Sequence, residues 1–135
     1  MSTGYSGTPL HKKLGLKPNM SVLTHNLPRD ARQLVEAGVT GLTWKPQSRE
    51  VEVAWLFSTT LADLKKSLSG VRQLLRPTGF IWVSWPKKAS GVPTDITEDR
   101  VRELALSLKL VDVKVCAVTE VWSGLKLVIR VKDRA

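Results

Sequence analysis

Residues 61–130 constrain the fold of this chain more than any other stretch. They read as a helix, an Arg-Pro-Thr-Gly turn at 76–79, a strand, a Trp-Pro-Lys-Lys loop at 85–88, a second helix and a closing two-strand hairpin. In the first helix Leu61, Leu64, Leu68, Val71 and Leu75 recur at intervals of three or four, with Lys65, Lys66, Arg72, Gln73 and Arg76 around the remaining surface. Residues 80–85, Phe-Ile-Trp-Val-Ser-Trp, and the second half of 51–58 are apolar in succession, as a strand must be when helices cover both its faces. Val101, Leu104, Ala105 and Leu108 form the stripe of the next helix; Asp95 and Glu98 precede it at capping-box spacing, with Thr97 as a competing N-cap. Segments 110–122 and 125–131 then close as a hairpin around Ser123-Gly124.

The first sixty residues supply shorter elements. Residues 1–20 form an N-terminal arm, polar as far as Thr8, with a short helix over 9–16 in which Leu10 and Leu14 lie four apart. A strand starting at Ser21 ends by Asn26, because Pro28 cannot donate within a sheet. A helix over 29–37 stops at Gly38, a short strand covers 40–45, and Pro46 opens a surface turn. The order predicts a single-domain α/β protein over 1–135: a Rossmann-like, mostly parallel sheet of about six strands, helices on both faces and a C-terminal antiparallel hairpin.

Composition bounds the function. With 42% apolar and 24% charged residues and no apolar run of membrane-spanning length, the chain reads as soluble. One cysteine, and no apolar stretch near the start that could serve as a signal segment, predict a cytoplasmic protein without structural disulfides. The net charge of +9 suits a polyanionic partner only if the cations cluster. Along the sequence they do not: Lys and Arg against Asp and Glu count 7 to 3 in residues 1–50, 7 to 5 in 51–100 and 7 to 4 in 101–135.

Open α/β sheets bind ligands beyond the carboxyl ends of their parallel strands. That edge would collect His25, Asn26 and Arg29 from one loop, Ser58 and Thr59 from a second, and Trp85, Lys87, Lys88, Ser90 and Gly91 from a third. The set is basic and hydroxyl-bearing, and it suits a small anionic or nucleotide-like ligand, although Lys87 and Lys88 read first as a solvated loop. No Cys or His cluster has ligand spacing, so no metal site is predicted. His25 reads as a polar loop residue, Cys116 as a small core residue, and no catalytic residue is assigned. Trp44, Trp85 and Trp122 fall near strand ends, where a ligand or partner could use them.

The segment LLRPTGFIWVSWP, residues 74–86, resembles the helix, Pro-Gly turn and fifth strand of the class I S-adenosylmethionine-dependent methyltransferase fold, and the closing hairpin is similar to that fold's antiparallel last strand. Over almost its whole length the chain also resembles a family of small uncharacterised bacterial proteins marked by SGTPLHKKLG, WVSWPKKASGVPTDITED and VDVKVCAVTEVWSGLKLVIR. The methyltransferase resemblance implies a Gly-x-Gly loop after the first strand and a carboxylate at the end of the second. Here no glycine occurs between Gly15 and Gly38, and the second strand runs into Lys45-Pro46. The Asn-Pro-Pro-aromatic signature is also missing around Ser58-Thr59. S-adenosylmethionine is therefore not expected as a cofactor, and the expected protein is a non-catalytic ligand binder. The alternatives are a nucleic-acid-binding module or a divergent methyltransferase with a rebuilt loop. The resemblance further implies that the segment before the first strand folds over the ligand edge, bringing Tyr5, Thr8 and His11 toward Lys87. An exposed edge strand would allow pairing with a second copy.

Overall fold

The computed structural model describes residues 7–44 and 49–134. Its strands are β1 (Ser21–His25), β2 (Thr43–Trp44), β3 (Val51–Phe57), β4 (Leu75–Pro86), β5 (Leu110–Ala117) and β6 (Trp122–Ile129). Its helices are α1 (Leu10–Leu14), α2 (Arg29–Glu36), α3 (Leu61–Leu74) and α4 (Glu98–Ser107). The strands form one sheet in the order β2-β1-β3-β4-β6-β5. The pairs among β2, β1, β3 and β4 are parallel, while β6 runs antiparallel to both β4 and β5. The expected architecture is present, with β5 pointing the same way as β4. Residues 1–6 of the expected tail, Tyr5 among them, Lys45 and most of the turn at Pro46 lie outside the described residues.

Alternation along β3 and β4 divides the core between the two faces. Ala54, Leu56, Ile81 and Val83 meet Leu64, Leu68 and Val71 of α3 and Val101 and Ala105 of α4. Val53, Trp55, Phe57 and Trp82 meet Leu10 and Leu14 of α1 and Ala31 and Val35 of α2. Full burial of each such aliphatic side chain stabilises the fold by about 1.5–3 kcal/mol before entropy is counted. The buried indoles satisfy their donors: Trp55 Nε1 donates to Ser84 Oγ at 3.0 Å, and Trp82 Nε1 donates to the Leu14 carbonyl at 2.9 Å, which latches α1 to the sheet.

Three local readings are corrected. The hairpin does not turn at Ser123-Gly124, which lies inside β6; the reversal occupies 118–121, where Thr119 Oγ1 accepts from the Val121 and Trp122 amides. Gly124 is glycine because a Cβ there would meet Val118 Cγ2 at 3.0 Å and the Trp82 ring at 3.2 Å. The Arg-Pro-Thr-Gly segment is a loop-out within β4, since Leu75 pairs with Val51 while Phe80 pairs with Val53. Finally, Asp95 does not cap α4. Thr97 does, accepting from the Arg100 amide, and Asp95 Oδ1 instead accepts from the Leu61 amide at 2.7 Å, at the start of α3.

Candidate functional site

The connection after β1 leads through α2 to β2 on one side of β1, and the chain then crosses to place β3 on the other side. Such a reversal opens a crevice beyond the strand ends, the place where sheets of this kind take ligands. Between β1 and β3 it is occupied by a connected polar set. His25 ends β1, and its Nε2 lies 2.9 and 3.1 Å from the two carboxylate oxygens of Asp63, in the first turn of α3. Ser58, just past β3 and only 2% exposed, donates its Oγ proton to Asp63 Oδ2 at 2.7 Å. Asn26 Nδ2 reaches the Phe57 carbonyl at 3.4 Å and stands 3.1 Å from His25 Nε2.

The electrostatics follow from these bonds. The hydrogen bond from Ser58 holds the Asp63 carboxyl below its ordinary range; burial opposes that shift, and the hydrogen bond from His25 and the nearby Lys66 charge reinforce it. Facing an ionised Asp63, His25 Nε2 is the donor of the pair, so the Asn26 amide nitrogen beside it, also a donor, makes no hydrogen bond to that atom. About one third of each side chain in this pair is exposed. Thr60 caps α3 by accepting from the Asp63 amide, so the carboxylate is fixed at both its backbone and its oxygens.

His25, Asn26 and Ser58 are thus brought together, and Thr59 is adjacent, its carbonyl accepting from Thr94 Oγ1 at 2.6 Å. Arg29 is exposed on the first turn of α2. The loop after β4 is a separate feature. Trp85 is 6% exposed and packs into the α3/α4 core, so it offers no stacking surface. Lys88 is exposed, and Gly91 closes a 3-10 turn with φ of 78°. Ser90 Oγ is engaged in that turn, donating to the Lys87 carbonyl and accepting from the Val92 amide. His11 does not approach this loop: it packs against Gly38 at the end of α2. Trp44 Nε1 donates to Glu36 at 3.0 Å, and Trp122 meets Phe57 edge-on at 5.1 Å between centroids. Asp63 is the site residue that the sequence did not offer. Its only signal was its place three residues after the cap Thr60, which reads as ordinary helix capping.

Among the described residues no group of histidine, cysteine and acidic side chains could hold a metal ion, and no helix is long and apolar enough to cross a membrane.

No protein-family model and no curated protein matches the chain, so sequence comparison adds no support to the bacterial family that it resembles. Solved structures do match. DhpI in complex with SAH (S-adenosylhomocysteine) superposes with a TM-score of 0.59 at 9% identity, over 88% of this chain and 81% of that one. LepI in complex with SAM (S-adenosylmethionine) gives 0.52 at 13% identity, over 90% of this chain and 39% of that one. A structure described as a pericyclic reaction enzyme gives 0.50 at 14% identity, over 91% and 47%. The chain therefore spans less than half the length of two of these proteins. The expectation that S-adenosylmethionine is unlikely is overturned by these matches, since the same fold is found holding SAM and SAH. Asn26, with φ of 56°, turns the chain in the left-handed region just after β1, where the resemblance led one to expect a glycine. The fold is that of the methyltransferase-like α/β proteins.

Proposed function

We propose that this chain binds S-adenosylmethionine at the C-terminal edge between β1 and β3 and is a divergent methyltransferase. The connected set Ser58, Asp63 and His25, with Asn26 beside it on the Phe57 carbonyl and all placed where the sheet order reverses, carries this reading. It replaces the non-catalytic reading because the matching structures hold SAM or SAH in this fold. Two features suit such a ligand. The left-handed Asn26 lets the backbone turn sharply after β1, and its side-chain amide lies beside the crevice. The ionised, partly exposed Asp63 is an acceptor for ligand ammonium or hydroxyl groups.

S-adenosylmethionine, when bound, supplies an electrophilic methyl group. The residue suited to move a proton is His25: Asp63 holds its Nε2–H, and Nδ1 is left to accept a proton from an incoming nucleophile. Ser58 keeps Asp63 in place and ionised, which fixes the orientation of the ring.

Isothermal calorimetry with S-adenosylmethionine and S-adenosylhomocysteine tests the reading. The protein should bind both, and Asp63→Asn should weaken binding about tenfold, or about 1.4 kcal/mol. Absence of binding up to about 5 mM, weaker than about 3 kcal/mol of affinity, by a protein with a native circular dichroism spectrum would overturn it.

A further inference from the structure

Cations that are dispersed in sequence converge in space on the sheet face that carries α1. Lys114 of β5 lies directly opposite Lys126 of β6. Lys13 of α1 reaches the Ala117 carbonyl at the end of β5, and Lys114 reaches back to the Lys13 carbonyl, each at 3.5 Å. Lys126 sits 4.4 Å above the half-buried Phe80 ring. Lys87 follows β4 at the strand-end edge, where its amide donates to the Val121 carbonyl at 2.7 Å. The charges of Lys13, Lys114 and Lys87 all act on the Cys116 thiol between them, and Lys126 is pushed toward its neutral form by burial and then by Lys114.

Like charges placed opposite one another weaken a sheet. Among the described residues neither Lys114 nor Lys126 forms an ion pair with a carboxylate that would relieve the repulsion. Local rules are broken in this way where a surface serves something other than stability. The arrangement is also extended. Lys126 stands opposite Trp82, and Lys87 lies five residues further along β4, about 17 Å at strand rise. One phosphate cannot bridge that length. A flexible single strand, whose phosphates can follow the lysines one after another, can.

We propose that Lys126, Lys114, Lys13 and Lys87 form a track for single-stranded nucleic acid that ends at the strand-end edge. This goes beyond cofactor binding and does not depend on it.

Fluorescence anisotropy with labelled twenty-residue oligo-dT and oligo-U tests the track. With four phosphates neutralised, affinity should fall about 50-fold between about 50 and 200 mM salt. The double variant Lys114→Glu/Lys126→Glu should lose at least about tenfold in affinity and about half of the salt slope. Lys65→Glu, on α3 across the sheet, should leave both unchanged. Three outcomes overturn the proposal: no binding at the lower salt, equal loss in the α3 variant, or equally tight binding of a labelled poly-glutamate, which would mark a surface for polyanions in general and not for nucleic acid. Circular dichroism of each variant excludes misfolding as the cause. Calorimetry of Lys114→Glu/Lys126→Glu with S-adenosylmethionine separates the two readings, since the track can fail while the cofactor site stands, and the reverse.

Discussion

Ser58 is the residue on which the charge of the site turns. Its hydroxyl is the leading cause of the depressed Asp63 carboxyl, ahead of the opposing effect of burial and the support from His25. A depressed carboxyl contributes stability that is complete above its unfolded value, near pH 4, and is lost as pH falls through the lower folded value. Ser58→Ala should therefore raise the Asp63 pKa and release the β1–α3 tie at a higher pH on acidification; a carboxyl titration by NMR that shows no upward change would refute this role. Cys116 presents the opposite balance: burial raises its thiol, while Lys13, Lys114 and Lys87 pull it down. Alkylation by iodoacetamide at pH 7 should be slow, and slower still in Lys114→Glu, as followed by mass spectrometry. The meeting of His25, Asn26 and Ser58 at one strand-end edge was legible because each stands where a strand gives way to polar residues. Asp63 was not, because a carboxylate in a first helical turn has a sufficient local explanation. Trp85 misled for the converse reason: the apolar run of β4 continues through it into the core.

Helix starts and hairpin turns show where local pattern ends and tertiary contact decides. Asp95 and Glu98 have the spacing of a capping box, yet the side chain of Asp95 is drawn to the Leu61 amide of α3. Asp95→Ala should destabilise the protein by about 1 kcal/mol, and Glu98→Gln by a few tenths at most, in urea unfolding. The reverse ranking would restore the local reading. Ser123-Gly124 has turn composition, but the glycine is set by the Trp82 ring that covers it, and Gly124→Ala should cost about 1–3 kcal/mol through overpacking. The long helices needed no such contact and followed from their periodicity, and the central strands from unbroken apolar runs. The edge strand β5 carries a bulge between Asp112 and Lys114, a feature that disfavours pairing with a second chain along that edge.

At the scale of the molecule, the sheet separates two unequal layers. One holds α1 and α2, of five and eight residues; the other holds α3 and α4, of fourteen and ten. The longer pair is tied twice, by Asp95 to the Leu61 amide and by Arg72 Nε to the Leu108 carbonyl at 2.8 Å. The charge distribution likewise emerges only at this scale, since Lys13 and Lys114 are far apart in sequence and adjacent in space. The Asp95 bond has a consequence for cooperativity. It makes the loop before α4 and the first turn of α3 a single opening unit, and that turn carries Asp63. A ligand that engages Asp63 must then suppress opening of the whole unit, so hydrogen exchange should slow at Leu61 and Ile96, residues that the ligand does not touch, and Asp95→Ala should uncouple that protection from binding.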